Sequence, residues 1–257
     1  MIVAIVQARM GSSRLPDKVM KEVLEKPLID YLLKRVSVAD KVDKIILATT
    51  TKPEDDCLAK HVTSLGYDVF RGSEDDVLSR YYHAFCEFKD ELETSNAIVR
   101  ITGDCPLIDS YLIDEVIKVY QEKSMDYVAL SPDFIEGLDI EIFSEKLLIK
   151  AFKEAKRPSE REHVSLFFHN NKALFNMSYV ENSSDDSSYR ITVDEEQDFV
   201  VVKCIIEYFS KNDLVMNTQN IKDYLDNNPN IYNLNAHILR NEGLQISLKK
   251  EGVDNGI

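Results

Sequence analysis

The chain has 257 residues, with 31 Lys and Arg against 45 Asp and Glu, which gives a formal net charge of −14. Because a strongly anionic surface repels polyanions, this balance argues against DNA or RNA as a partner. Hydrophobic residues make up 44% of the chain, enough for a sizeable core, and the length favours one domain, 1–257. The sequence has neither a signal-peptide pattern nor an apolar run near the about 18 residues of a membrane span. We therefore expect a cytoplasmic protein that does not bind membranes.

Strand-like and helix-like segments alternate through the first half of the chain. This rhythm predicts an α/β fold with a mostly parallel sheet and helices on both faces. The predicted strands span residues 2–7, 44–48, 67–70, 97–101 and 126–130. The predicted helices span residues 27–39, 54–65, 74–92 and 109–123, the last with Asp109 as its N-cap.

The rhythm changes after residue 130. Further strands are predicted at 138–143, 174–179 and 189–193. Further helices are predicted at 144–156, around 160–170, at 195–210 and at 218–227, with Ser144 as a plausible N-cap. The polar run 181–188 is expected to be a mobile surface loop, and the hydrophilic tail from 235 to be frayed.

The loop after the first strand concentrates positive charge. It contains Arg9, Arg14 and Lys18, together with Gly11 and two serines, within the segment QARMGSSRLPDK at 7–18. Ligands of a parallel sheet bind beyond the carboxyl ends of its strands, where backbone N–H groups, hydroxyls and cations suit a polyphosphate. The loop is neither a P-loop nor a dinucleotide fingerprint, because GxxxxGK[ST] and GxGxxG are both absent. A solvated basic turn is the alternative.

Two acids follow other predicted strands. Asp104 lies in RITGDCP (100–106) and Asp194 in RITVDEEQD (190–198). Carboxylates that face a phosphate loop suit Mg²⁺, which usually takes one or two protein carboxylates together with substrate phosphates. Alternatively, Asp104 closes a turn with its own backbone and Asp194 caps the helix that follows it.

Two more polar clusters lie in the second half of the chain. Asp139 and Glu141 are two residues apart, which places them on one face of a strand. They suit sugar hydroxyls, or they are simply exposed. Arg161 and His163 suit an acceptor carboxylate or phosphate, or they begin a surface helix.

Two arginines flank the end of the third predicted strand. Arg71 and Arg80 could add charge near the phosphates or contact the nucleobase, although a surface salt bridge is an equal alternative for Arg80. The other histidines show no metal-ligand spacing and receive no role: His61, His83, His169 and His237. Four widely spaced cysteines without a CxxC pair predict reduced, mostly buried thiols: Cys57, Cys86, Cys105 and Cys204.

Six segments, in order along the chain, resemble the cytidylyltransferase family that activates acylneuraminate and 3-deoxy-manno-octulosonate. The likeness is closest to the branch of spore-coat polysaccharide biosynthesis proteins, and it covers residues 2 to about 210. The resembling segments are QARMGSSRLPDK (7–18), VFRGSEDDVLSRY (69–81), RITGDCPLID (100–109), GLDIEIFS (137–144), REHVS (161–165) and RITVDEEQD (190–198). Two positions depart from the family's pattern: Asp17 stands where Gly is common, and 195–197 reads Glu-Glu-Gln in place of a Thr-Pro-Glu type sequence.

This resemblance implies a Rossmann-like nucleotide-diphospho-sugar transferase fold with a small insertion subdomain. Residues 131–190 would be the insertion, which binds the acceptor and forms a homodimer, and 211–257 would be a peripheral C-terminal segment. The implied catalytic residues are Arg14, Lys18 and Asp104, and the implied Mg²⁺ ligands are Asp104 and Asp194. The implied nucleotide-binding residues are Ala8, Arg9, Met10, Gly11, Ser12, Ser13, Arg71, Ser73, Arg80, Thr102 and Gly103. The implied acceptor-binding residues are Asp139, Glu141, Arg161 and His163.

The implied reaction is attack by an acceptor oxygen on the α-phosphorus of CTP, with release of pyrophosphate. The acceptor would be a sugar acid or a sugar phosphate used in surface polysaccharide or glycan biosynthesis, and no residue reads out cytosine over another base. A metal-dependent glycosyltransferase remains an alternative, although its Asp-X-Asp motif is missing at Gly103-Asp104-Cys105. A non-catalytic nucleotide-binding module is the other alternative.

Overall fold

The computed structural model describes residues 1–88, 97–240 and 242–252. The strands of this part of the chain are β1 (Ile2–Gln7), β2 (Glu22–Val23), β3 (Lys26–Pro27), β4 (Lys44–Thr50), β5 (Asp68–Gly72), β6 (Ala97–Thr102), β7 (Tyr127–Leu130), β8 (Glu141–Ser144) and β9 (Met177–Val180). Seven of them form one sheet in the order β5-β4-β1-β6-β8-β7-β9, while β2 and β3 make a separate hairpin. Within the large sheet β8 runs antiparallel to β6 and β7, and the other neighbours are parallel.

The helices cover both faces of this sheet. They are α1 (Leu28–Ser37), α2 (Asp56–Ser64), α3 (Val77–Glu87), α4 (Ser110–Lys123), α5 (Glu145–Glu154), α6 (Pro158–Glu162), α7 (Leu166–Asn170), α8 (Glu196–Lys211), α9 (Thr218–Asn227), α10 (Pro229–Tyr232) and α11 (Glu242–Lys250). None of these helices combines the length and the apolar character that a bilayer span requires.

Three apolar cores hold the layers together. On one face the sheet packs against α1, α2 and α4, and on the other against α3, α5 and α7. Helices α8 and α9 bury a third core against the loops around 135–138 and 191–193. The predicted α/β class, with a mixed and mostly parallel sheet between helical layers, is confirmed.

The central strand β1 sets the position of the site. Its residues Val3 to Val6 are fully buried, as expected of a β-branched apolar run between two parallel neighbours. The chain proceeds from β1 to β4 and β5 on one side and then crosses to β6 on the other. The strand order therefore reverses between β1 and β6, and a ligand cleft is expected beyond their carboxyl ends.

Several predicted boundaries are wrong for local physical reasons. Residues 189–193 form no strand but a single bridge, Glu136 to Arg190, because this segment packs its apolar side chains under α8 instead of joining the sheet. The helix expected around 160–170 is broken in two at Val164, whose φ is +32°. The strand expected at 138–143 begins only at Glu141, after the turn at Gly137.

The third helix also starts late. Asp76 caps it, since its carboxylate accepts a hydrogen bond of 2.8 Å from the Ser79 N–H, and the helix therefore begins at Val77. The expected helical end at 89–92 lies outside the described residues. The caps predicted for α4 and α5 are confirmed: Asp109 accepts from Tyr111 N and Ser144 from Leu147 N.

The second half of the chain contains more regular structure and more buried contacts than its polar sequence predicted. Segment 131–190 contributes β8 and β9 to the central sheet, so it does not stand apart from the main body. In the run 181–188, Asp186 is buried and bonded to Asn182 and Lys222. The tail from 235, expected to be frayed, contains α11. All four cysteines are free, but Cys105 is the only buried one among them.

We predict that Gly137→Ala destabilises the protein far more than Gly66→Ala. Both glycines have positive φ, +105° and +88°, so both substitutions carry a strain of about 1–3 kcal/mol. A Cβ at Gly137 would also lie 2.4 Å from the Thr192 nitrogen, whereas nothing lies within 4 Å at Gly66. Denaturant unfolding should therefore show an additional loss of about 1–3 kcal/mol for Gly137→Ala. Equal losses would contradict the close approach.

Candidate active site

The opening loop and the β6 turn meet at the reversal point of the sheet. The Gly103 N–H donates to the Gln7 carbonyl at 2.8 Å, and a Cβ at Gly103 would lie only 2.6 Å from that of Ala8. Glycine thus allows the two loops to touch. The third motif joins them because Val193 N–H donates to the Asp104 carbonyl at 2.8 Å. The three segments singled out by sequence therefore lie together.

Lys18 is held between two carboxylates at this junction. Its Nζ lies 2.8 Å from Asp194 Oδ1 and 3.3 Å from Asp104 Oδ2. Burial opposes the charge of the ammonium, but the two acids outweigh it and raise the pKa of Lys18. Burial likewise opposes ionisation of Asp104, yet the charge of Lys18 and a hydrogen bond from Thr102 hold its pKa at about 2. Lys18 and Asp104 are therefore both charged at neutral pH.

Asp194 does not cap the helix that follows it. The N-cap of α8 is Glu195, and the carboxylate of Asp198 accepts hydrogen bonds from the backbone N–H groups of Asp194 and Glu195 at 2.9 and 3.0 Å. Asp198 is fully buried and paired with Arg190, whose Nη2 also lies 3.1 Å from Asp194. The Asp194 carboxylate is thereby left facing the cleft. Asp104 also accepts a hydrogen bond from its own backbone, so its turn role and its place in the cleft coexist.

Arg14 stands at the mouth of the cleft. Its Nη2 lies 3.2 Å from Asp194, and its Nη1 lies 2.6 Å from Glu242 of α11. Arg9 points elsewhere and pairs with Glu74 at 3.0 Å. Arg14 and Lys18 are thus the loop cations beside the two acids, while Arg9 lies on the side of β5.

The rest of the opening loop is held by backbone contacts. Met10 N–H donates to Asp55 at 2.7 Å, and the Asp17 and Ser12 N–H groups both donate to the Met10 carbonyl. Asp17 has φ +58°, the left-handed conformation that glycine adopts most easily. Gly11 lies against Glu54, where a Cβ would approach Oε1 to 2.6 Å.

Arg71 of β5 and Arg80 of α3 are bonded to nearby loops. Arg71 donates to the Thr50 and Lys52 carbonyls and pairs with Asp56. Arg80 is buried and donates to the Ser73 carbonyl at 2.6 Å. That Arg71 and Arg80 contact the nucleotide remains a prediction.

A cavity of about 500 Å³ extends from Asp104 and Asp194 toward β7 and β9. Glu141 lies deep in it, 2.6 Å from both Arg100 Nη1 and the Tyr127 hydroxyl. Burial opposes its ionisation, but Arg100 and Tyr127 lower the pKa of Glu141. Asp139 also lines the cavity, and there burial and the nearby Asp104 raise its pKa despite the charge of Arg240.

The predicted acceptor pair Arg161 and His163 is split. His163 lines the cavity, where its Nε2 lies 3.0 Å from Ser247 Oγ. Arg161 does not line it: its guanidinium contacts both oxygens of Asp76 at 2.5–3.0 Å and the Phe152 carbonyl. Arg161 therefore ties α6 to the start of α3, which corrects its predicted position.

Sequence reasoning missed five residues that shape this cavity: Arg100, Tyr127, His169, Arg240 and Glu242. Arg100 is an inward-facing arginine in the buried strand β6, and that pattern could have marked it. His169 lies 3.3 Å from the Tyr127 hydroxyl, but its sequence spacing gave no signal. Arg240 and Glu242 come from the tail, where no motif stands.

The donor set at Lys18 suits a hard cation. Among the described residues no group of three or more His, Cys, Asp and Glu side chains could hold a metal ion. Asp104 and Asp194 nevertheless already bracket one cation, the Lys18 ammonium. Two carboxylates are as many as Mg²⁺ usually takes from a protein when substrate phosphates supply further oxygens. The residues present fit that ion.

The chain is similar in sequence to known proteins over most of its length. A family model described as cytidylyltransferase matches residues 3–226. An uncharacterized protein of Methanocaldococcus jannaschii is 38% identical over 92% of this chain and 95% of its own. The spore coat polysaccharide biosynthesis protein SpsF of Bacillus subtilis is 33% identical over 80% of this chain and 86% of its own.

The fold is also similar to those of solved structures. A cytidylyltransferase from Leptospira borgpetersenii superposes with a TM-score of 0.81 at 31% identity, covering 90% of this chain and 96% of that one. A CMP:2-keto-3-deoxy-manno-octonic acid synthetase complexed with CTP has a TM-score of 0.59 at 15% identity, covering 80% and 98%, and this likeness shows the fold alone. By the extent of the family match and the identity of its relatives, the chain belongs to the cytidylyltransferase family.

Proposed function

We propose that this protein transfers CMP from CTP to a hydroxyl of a sugar acid or sugar phosphate in a Mg²⁺-dependent reaction. The observation that carries the proposal is the contact of Lys18 with Asp104 and Asp194, with Arg14 beside them, at the end of a cavity of about 500 Å³. The two cations and the two acids proposed to bind the metal lie at one end of this cavity. The rest of the cavity is large enough for a sugar. That arrangement suits nucleotidyl transfer.

The reaction forms a bond between the acceptor oxygen and the α-phosphorus and breaks the bond to the β-phosphate oxygen. The hydroxyl proton passes to solvent, and pyrophosphate leaves with the electron pair of the broken phosphorus–oxygen bond, while one negative charge stays on the transferred phosphate. Catalysis of this kind depends on in-line positioning and charge neutralisation. Bound at Asp104 and Asp194, Mg²⁺ would supply part of that neutralisation.

Lys18 and Arg14 supply the remaining positive charge. Because the pKa of Lys18 is raised, its ammonium stays protonated and can turn from the carboxylates to the β- and γ-phosphates. Arg14 is bound to Glu242 and Asp194, and a triphosphate would replace Glu242 as its anionic partner. With a net charge of −14 on the protein, these side chains serve binding as well as chemistry.

The cellular setting is part of the same proposal. The similarity to SpsF supports a role in surface polysaccharide or glycan biosynthesis, and the four free cysteines fit the cytoplasm. Homodimerisation through segment 131–190 fits the edge strand β9, beside which Leu174 is 64% exposed. The acceptor would bind beside Asp139, Glu141 and His163, which line the cavity.

Pyrophosphate release with each of the four nucleoside triphosphates, against a panel of sugar acids and sugar phosphates, tests the proposed reaction. We expect release with CTP and an acceptor, and none without an acceptor or without Mg²⁺. Turnover of nucleotide-sugars in place of CTP would indicate a glycosyltransferase. Calorimetric binding of CTP with no turnover on the whole panel would indicate a nucleotide-binding module.

Arg14→Ala and Lys18→Ala should each lower the rate of pyrophosphate release at least about tenfold, or about 1.4 kcal/mol in barrier. Each substitution removes a positive charge that stabilises the departing pyrophosphate. Lys26→Ala serves as the control because it removes an exposed lysine of the β2–β3 hairpin. Near wild-type rates in both Arg14→Ala and Lys18→Ala would refute the assignment.

Asp104→Asn should abolish the Mg²⁺-dependent rate and leave the protein folded. The amide keeps the shape of the carboxylate but loses the charge that binds a divalent cation. The measurement is the rate as a function of Mg²⁺ concentration, with circular dichroism as the check on folding. An unchanged Mg²⁺ dependence in a folded variant would count against Asp104 as a ligand.

A further inference from the structure

The cavity beside the candidate metal ligands is strongly acidic. Six carboxylates line it: Asp104, Glu136, Asp139, Glu141, Asp194 and Glu242. An acceptor that carries a carboxylate or a phosphate would be repelled there unless a cation met it. The binding of such an acceptor is therefore favoured by a positive side chain in the cavity lining that is not already neutralised.

Three arginines line the same cavity, and two of them are already paired closely with carboxylates. Arg100 is paired with Glu141 at 2.6 Å, and both side chains are largely buried. Arg14 stands at the metal end, bound by Asp194 and Glu242. His163 supplies no charge near neutral pH, because burial lowers its pKa. Arg240 is the remaining arginine of the cavity lining.

Backbone carbonyls hold the guanidinium of Arg240 in place. Its Nη1 donates to the Pro132 carbonyl at 2.6 Å and to the Phe134 carbonyl at 2.8 Å. Its Nη2 lies 3.9 Å from Asp139 Oδ1, which is beyond hydrogen-bond distance. Arg240 is thus oriented by neutral groups and only loosely neutralised by Asp139. A fixed guanidinium of this kind suits the two oxygens of a carboxylate or phosphate.

The segment that carries Arg240 is anchored across the cavity. Helix α11 follows it directly and is tied down at both ends. At the start, Glu242 pairs with Arg14. Farther along, Ser247 bonds to His163, and Glu251 accepts from the N–H and hydroxyl of Ser159 at 2.5 and 2.7 Å. The family match ends at residue 226, so this wall of the cavity is built by a part of the chain outside the matched region.

We propose that Arg240 binds the oxyanion group, carboxylate or phosphate, of the acceptor, and so selects anionic over neutral sugars. This inference rests on the proposed nucleotidyl transfer, since it names the side chain that holds the second substrate. Asp139 faces Arg240 from the β8 side. It would then meet a hydroxyl of the same acceptor, because its closeness to the bound oxyanion opposes a free negative charge there.

Calorimetry in the presence of Mg²⁺ and without CTP tests this role, because binding can then be measured without turnover. The probes are 3-deoxy-manno-octulosonate as a sugar carboxylate, glucose 1-phosphate as a sugar phosphate, and glucose as a neutral sugar. We expect wild type to bind one of the two anionic probes more tightly than glucose. Arg240→Gln should weaken that binding at least about tenfold, and Arg240→Lys should weaken it less. Which anionic probe responds identifies the oxyanion.

The matched control is Lys249→Gln, which removes one positive charge from an exposed position of α11 and should change probe binding less than about twofold. Melting temperatures of the variants show whether the tail remains in place. Three results would overturn the inference: equal probe binding by a folded Arg240→Gln, binding of neither anionic probe by wild type, or equally tight binding of glucose. Failure of the proposed function is separate, since it would appear as wild type that does not bind CTP at all.

Discussion

The contact of one lysine with two aspartates organises this structure. Asp104 ends β6 and Asp194 precedes α8, about ninety residues later in the chain, and Lys18 closes the loop after β1. Two carboxylates forced together would repel each other, and burial makes that repulsion stronger. The ammonium removes it and so lets three distant segments meet. A cation at this point therefore stabilises the meeting of the three segments, in addition to its proposed role in the reaction.

A second network of charged side chains, centred on the buried Arg190, holds Asp194 in position for this contact. Arg190 is almost fully buried and spans Glu136, Asp194 and Asp198, while Asn235 bonds to Asp198 at 2.9 Å. Because Asp198 takes over the backbone N–H groups at the start of α8, Asp194 needs no structural partner there. Loss of one member of such a buried network would leave a charge uncompensated, which is far more costly than loss of a surface ion pair. Arg190, Asp198 and Asn235, which do not line the cavity, thus hold this side of the cleft in place from behind.

The sequence predicts this arrangement well where the physics is local. An apolar run that ends in Gly, Ser and cations indicates a strand and its loop, and the signals at Asp109 and Ser144 give real helix caps. It fails where tertiary packing decides. Residues 189–193 alternate like a strand yet pack beneath α8, and Arg161 resembles a ligand residue yet binds Asp76. Arg240 and Glu242 gave no signal because their roles depend on a tail that folds back over the cavity, and no periodicity records such a long-range contact. His169 gave none because its contact with Tyr127 arises from the packing of α7 against β7.

The two ends of the cleft handle charge in opposite ways. At the end proposed for the nucleotide, Lys18 and Arg14 are paired with carboxylates, so Mg²⁺ would have to arrive together with the triphosphate to balance the charges. At the end proposed for the acceptor, Arg100 is paired with Glu141, whereas the guanidinium of Arg240 is bound mainly by backbone carbonyls. The positive charge of Arg240 could therefore pair with an anionic ligand. Binding at the first end exchanges anions on cations that are already there. Binding at the second end would satisfy a cation that the fold leaves loosely paired. In the proposed reaction, this difference would allow a protein of net charge −14 to hold two anionic substrates side by side.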